Sequence, residues 1–220
     1  MLFPTTVFAL FFAVFFFLHW GLVPFPRLRK WTLLGASLFF YGYWSWKFAL
    51  MLAVSGALNH GAAVWITRTE RERTRKHLIA WAVAANLLVL AVFKYTGFLF
   101  ARLAVPLAVP LCARLGTTEQ LIGLQEQVLP FIEKIVLPVG ISFYTFQALS
   151  YVVDVYRRHT PVAASTLDFV NYLAFFPQLV AGPIVRAADL LPQMAVFPGW
   201  STRLDTGRAA TLILGGLFKK

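Results

Sequence analysis

An all-α, polytopic transmembrane helical bundle with re-entrant or broken helices is the fold this sequence predicts. Three observations carry that expectation. Of 220 residues, 59% are of hydrophobic type and 13% are charged, with a mean hydropathy of +0.70. A soluble chain carries roughly a quarter charged residues. The apolar runs are continuous and do not alternate with period two, which favours helices over a barrel. The Lys and Arg residues gather in short runs between apolar stretches, as they do at a membrane surface.

The net charge of +11 would suggest nucleic acid in a soluble domain. Here cytoplasmic loops account for it, and no nucleic-acid-binding motif is present. The single cysteine, Cys112, excludes an internal disulfide and a cysteine-based metal cage. A lone Cys flanked by apolar residues is a packing residue.

The first predicted span is 2–23, which holds no Lys, Arg, Asp or Glu and is long enough for about 30 Å of hydrocarbon. No basic stretch precedes it, as a cleaved signal peptide would require. Arg27, Arg29 and Lys30 follow it, so the positive-inside rule puts that loop in the cytoplasm and the N-terminus outside. The second span, 31–46, returns outward to Tyr41, Tyr43, Trp44 and Trp46, rings that favour the membrane–water interface. Lys47 then sits where its stem stays apolar and its ammonium wet. The third span, 48–66, leads inward to "TRTERERTRK" (Thr67 to Lys76), and the fourth, 78–93, leads out again.

Tyr95 to Gly116 contains Arg102, Pro106, Pro110 and Arg114. Two prolines four apart break regular helix hydrogen bonding, so this stretch reads as short interfacial or re-entrant pieces. Glu119 to Lys134 reads as amphipathic and interfacial. A span at 135–153 crosses inward to "DVYRRH" (Asp154 to His159), and 167–191 holds a re-entrant element. Another apolar segment starts at Thr211, shortly before Lys219 and Lys220. The expectation is one membrane domain, 1–220, that is the N-terminal part of a longer one and apparently truncated. No internal repeat is seen.

Polar residues inside membrane helices are costly and face the bundle or a water-filled cavity. Tyr144, Gln147, Tyr151 and Asp154 are spaced i, i+3, i+7, i+10. At 100° per residue they fall within an arc of about 80°. Two readings stand: a tunnel wall, or tyrosines packed in the bundle. For Asp154 the favoured reading is an ion pair with Arg157 or Arg158. His77 and His159 lie in basic loops and should be solvated, and His19 sits near an interface beside Trp20. His60, beside Asn59 and Gly61, lies within a span. With no paired carboxylate, Ser or Cys it reads as a helix–helix hydrogen-bonding residue, not a base. No HExxH, GxSxG or Gly-rich phosphate loop occurs, and no metal site is expected.

"FFPQLVAGPIVR", Phe175 to Arg186, is apolar but interrupted by Pro177, Gln178, Gly182, Pro183 and Arg186. Irregular backbone at membrane depth is tolerated where it is buried in protein or lines a cavity. Arg186 either faces an acidic or phosphate-bearing group on the cytoplasmic side, or it snorkels or pairs with Asp189.

"LPVGISFYTFQALSYVVDVYRR" (Leu137 to Arg158) and "FFPQLVAGPIVRAADLLPQM" (Phe175 to Met194) resemble the membrane-bound O-acyltransferase family, closest to its alginate-acetylating branch. "FFYGYWSWKFALM" from Phe39, "FKYTGF" from Phe93 and "GGLFKK" at the end are weaker matches. The resemblance implies a bacterial inner-membrane enzyme. It passes an acyl group, typically acetyl, from a cytoplasmic thioester, acetyl-CoA being the expected donor, to an acceptor outside. The donor is a substrate, and no bound cofactor is expected. Implied partners are membrane lipid, the acyl donor and periplasmic or extracellular acetyltransfer proteins, not nucleic acid. Family members carry their catalytic histidine later, in a Trp-His-Gly-like context, so no residue of this chain is expected to be catalytic. Asn59-His60-Gly61 resembles that motif but lies too early. Tyr144, Gln147, Tyr151, Gln178 and Arg186 are the tunnel or donor-side candidates. Within the family, D-alanyl transfer or acyl transfer to peptidoglycan is the alternative. A transporter fragment is the alternative outside it.

Overall fold

The computed structural model describes residues 5–99, 138–179, 182, 185–195 and 205–219, with positions 106, 110 and 114. The pieces expected in 95–116 and the interfacial segment expected at 119–134 fall largely or wholly outside these residues. Every element among the described residues is helical, and none is a strand. In chain order they are α1 (Thr6–Gly21), α2 (Pro26–Gly42), α3 (Trp46–Arg68), α4 (Glu72–Leu99), α5 (Ile141–Tyr156), α6 (Thr166–Ala174), α7 (Phe176–Leu179), α8 (Ala187–Ala195) and α9 (Thr206–Lys219).

The helix ends follow local chemistry. Thr5 caps α1, its hydroxyl accepting from the Phe8 N–H at 3.2 Å. Pro26 stands in the first turn of α2, where a missing N–H costs nothing. Arg29 and Lys30, expected in a loop, therefore lie in the first turn of a helix. Arg29 is buried, with its guanidinium 5.6 Å from the centre of the Trp20 ring. The basic run after α3 is likewise partly helical. α4 starts at Glu72, which pairs with Lys76 one turn on at 2.9 Å.

The helix expected from 135 begins only at Ile141. Pro138 cannot donate to a helix ladder, and Gly140 at the N-cap has φ +75°. A side chain there would be strained, and its Cβ would lie 3.0 Å from the Leu179 carbonyl oxygen. Tyr41 of α2 fixes this approach by donating its hydroxyl to the Val139 carbonyl at 2.5 Å.

α3 is the central strut and packs against α2, α4, α5 and α6. Its buried residues, Ala49, Leu52, Gly56, Asn59, His60, Ala63 and Ile66, form one stripe at helical spacing. Small residues in that stripe let α6 come close: a Cβ on Gly56 would sit 3.0 Å from Val170 Cγ2. α3 and the Glu72–Thr96 part of α4 are long and apolar enough to cross a membrane. α1 is apolar but shorter, and none of its residues is buried. It rests on the core through Phe8, Phe11 and Phe15, whose rings meet Phe40 and Phe176 at 5.2–5.9 Å between centroids.

Candidate functional site

The buried polar groups converge where α5 and α6 meet α3. On α5, Tyr144, Gln147 and Tyr151 are all at most 1% exposed, and Asp154, half-buried, ends their stripe. The predicted single face is therefore turned into the protein. Tyr151 has a defined partner, its hydroxyl accepting the Ala163 N–H at 3.0 Å. Among the described residues the Tyr144 hydroxyl is buried with no hydrogen-bond partner, and the Gln147 amide lies beside the Tyr172 hydroxyl without a well-formed hydrogen bond. Buried polar atoms are nearly always paired, so these groups call for an explanation.

Phe169 of α6 is the hub of the cluster. Tyr151 stacks on it at 4.2 Å, Tyr172 lies 5.8 Å away and His60 6.2 Å away between centroids. His60 was expected to hydrogen-bond between helices. Instead it stacks, and among the described residues its Nδ1 has no partner. The interhelical hydrogen bonds come from its neighbour: Asn59 and Asn86 of α4 exchange amide bonds at 3.2 and 2.8 Å. His77 and His159 are exposed.

The interrupted stretch is stitched into this cluster by side chains. The Phe176 N–H reaches Ser37 Oγ at 3.4 Å. Gln178 Nε2 donates to the Tyr172 carbonyl at 2.7 Å, and the Tyr172 hydroxyl donates to the Val185 carbonyl at 3.0 Å. Gln178 is buried, and among the described residues its Oε1 is a further acceptor without a partner. At Gly182 a Cβ would come 2.4 Å from the Gln178 Cα, so only glycine fits beside the α7 backbone. The structure thus joins Tyr151 and Gln178 through Phe169 and Tyr172, and keeps Tyr144 and Gln147 on the same helix face. Arg186 follows Val185, whose carbonyl Tyr172 holds, and is exposed.

Neither anticipated arginine pairing forms. The ion pairs among the described residues are Lys30–Asp168 and Glu72–Lys76, so Asp154 does not pair with Arg157 or Arg158, nor Arg186 with Asp189. The Lys30–Asp168 pair, at 2.5 Å, was not anticipated. Asp168 is 4% exposed and is oriented by Ser165, which caps α6 by accepting the Asp168 N–H at 3.1 Å and donating to its Oδ2 at 2.8 Å. The capping pattern Ser165-x-x-Asp168 was the available signal. Asn171 strengthens the same junction by donating to the Lys30 carbonyl at 3.0 Å.

Chemically the cluster is a set of buried hydroxyl, amide and imidazole groups. It can bind and orient, and among the described residues none of these groups forms an ion pair. Among the described residues, no three His, Cys, Asp or Glu side chains gather as metal ligands would.

No family model and no solved structure matches the chain. Curated relatives do. The probable alginate O-acetylase AlgI of Pseudomonas aeruginosa is 36% identical over 195 residues, 88% of this chain and 34% of the relative. Its namesake in Azotobacter vinelandii is 33% identical over 223 aligned positions, 100% of this chain and 41% of the relative. A peptidoglycan O-acetyltransferase of Helicobacter pylori is 29% identical over 77% of this chain and 32% of its own length. The chain thus spans between a third and about two-fifths of the curated relatives it matches. Along that stretch the chain belongs to the membrane-bound O-acyltransferase family.

Proposed function

We propose that this chain forms part of the membrane domain of an O-acyltransferase. The enzyme moves an acetyl group from a cytoplasmic thioester, acetyl-CoA, to an exported polysaccharide such as alginate. The observation that carries the reading is the broken segment after Phe175. Its backbone finds hydrogen-bond partners in Ser37 and Tyr172, protein groups, as irregular backbone at membrane depth requires. The buried atoms of Tyr144, Gln147 and Gln178 that lack a well-formed hydrogen bond are the groups a thioester donor or its waters satisfy. Their contribution is orientation and the exclusion of bulk water, which limits hydrolysis of the thioester. Arg186 meets the donor's phosphates from the cytoplasmic side. The general base that takes the acceptor's proton is not among these residues, and His60 does not fill that role.

In this reading the helices form a multi-pass bundle of a bacterial inner membrane, with the N-terminus outside. Two contacts favour that arrangement. Arg75 donates to the Tyr156 carbonyl at 2.8 Å, tying the run at Thr67–Lys76 to the one at Asp154–His159. Lys30 meets Asp168, just beyond the second run. The basic segments thus gather, as cytoplasmic loops do. Partner proteins outside the membrane hand the acetyl group on.

A second acceptor, peptidoglycan, is favoured by the Helicobacter pylori relative. The test is complementation. The full-length gene containing this coding sequence is placed in an alginate producer that lacks its own O-acetylase, and acetate released by alkali from the polymer is measured. Restored acetyl esters, retained in His60→Ala, are the expected result. Ester-free alginate beside newly acetylated peptidoglycan favours the second acceptor, and the absence of both defeats the proposal.

A further inference from the structure

A cavity of about 320 Å³ lies between the link after α5 and helix α8. Val162, Ala163, Ala164, Ala187, Leu191 and Pro192 supply most of its wall. Among the described residues, no carboxylate or cysteine lines it, and the polar side chains that do are Thr160 and the exposed His159. Its volume is at the small end for ligand pockets, enough for a narrow apolar tail but not for a nucleotide. Tyr151 braces one wall through the Ala163 N–H.

Arginines adjoin the lining residues in sequence. Arg158 directly precedes the lining residue His159, with Arg157 beside it, and Arg186 directly precedes the lining residue Ala187. All three arginines are exposed, and none pairs with Asp154 or Asp189, the nearest carboxylates in sequence. Arg158 also has φ +62°. The His159 N–H bonds to the Asp154 carbonyl and the Arg158 N–H to the Val155 carbonyl, at 2.9 and 3.0 Å. That closing turn normally takes glycine at the position Arg158 holds. A cation is therefore kept there at the expense of backbone strain, and strain of this kind points to function.

We propose that this cavity and its arginine rim bind one anionic phospholipid of the cytoplasmic leaflet. One acyl chain enters the cavity, and the phosphate sits between Arg157 and Arg158, which leaves Arg186 to the acyl donor. Basic pockets between helices on the cytoplasmic side take lipid head groups in this way. The assignment to that leaflet rests on the orientation given under Proposed function.

The test uses the purified full chain in detergent micelles with no acyl donor. Thermal unfolding is followed as phosphatidylglycerol or phosphatidylcholine is titrated in, since a ligand of the folded state raises the midpoint with its concentration. Phosphatidylglycerol is expected to bind at least about tenfold more tightly. Arg158→Gly lowers that affinity about fivefold and leaves phosphatidylcholine unaffected. Without lipid its midpoint is equal to or above that of the unchanged chain, because glycine relieves the strain. Ala188→Trp, which fills the cavity, weakens both lipids. Equal binding of the two lipids, or an Arg158→Gly chain less stable without lipid, overturns the proposal. So does a midpoint raised by coenzyme A and not by phosphatidylglycerol, which assigns the rim to the donor. Acetyl transfer is not read in this experiment, so its failure leaves the acyltransferase reading standing. Conversely, loss of acetyl esters in cells with the lipid preference intact removes only that reading.

Discussion

Helices α1 and α3 are both apolar, yet they do opposite things. α1 has no buried residue, and Leu10, Val14 and Phe17 are at least 60% exposed. α3 carries glycine, serine, asparagine and histidine, and buries a continuous stripe. Short α6 goes further: seven of its nine residues are buried, Asp168 and Asn171 among them. In water the greasier helix would lie inside. In a membrane the lipid is as apolar as leucine, so burial follows close packing and hydrogen bonding. Small and polar residues therefore mark the interior, and phenylalanine the rim.

The sharpest way to break this contrast is to unbalance the interior charge. Lys30→Met leaves the buried Asp168 without its counter-charge and should cost about 3 kcal/mol. That is the low end for a buried pair, because the Lys30 side chain keeps 19% exposure. The double change Lys30→Met, Asp168→Leu should recover most of the loss in detergent thermal unfolding. If the single change is silent, the junction of α2 with α6 is not as described.

Next comes Gly182→Ala, whose Cβ would meet the Gln178 backbone. A cost of about 2 kcal/mol is expected, since backbone must move to admit it. A smaller effect with a change of sign separates two glycines of α3. Gly56→Ala should destabilise by about 1 kcal/mol against Val170. Gly61→Ala meets nothing within 4 Å and should stabilise by about 0.5–1 kcal/mol through helix propensity. Equal signs would mean that both positions face the same environment. The smallest effect is the coupling of Asn59 with Asn86, about 0.6 kcal/mol in a double-mutant cycle with alanine.

Much of this was legible in the sequence, and for physical reasons. Continuous apolar runs located α1 to α5, and the periodicity of a helix put Tyr144, Gln147 and Tyr151 on one buried face. Helix starts were not legible. Cations at Arg29, Lys30 and Arg73 read as loop, although helical first turns at a membrane surface hold them equally well. Gly140 delayed α5 through a packing contact with Leu179, which local sequence does not reveal. Distance in sequence hid the rest of the site. Lys30 with Asp168, and Phe176 with Phe11, are contacts between segments that only tertiary packing joins. Pro177, Gln178 and Gly182 did signal a broken element, and the reason is now specific: Gln178 caps the Tyr172 carbonyl, and Gly182 clears its backbone.

Gln178 gives the most direct test of the claim that this buried, broken segment serves acyl transfer. In the complementation assay, acetyl esters on the exported polymer are compared for Gln178→Ala and for the exposed Gln193→Ala, at matched amounts of folded protein in the membrane. The account predicts that Gln178→Ala loses at least about tenfold in ester content, roughly 1.4 kcal/mol, while Gln193→Ala is unchanged. Wild-type acetylation by Gln178→Ala would contradict it.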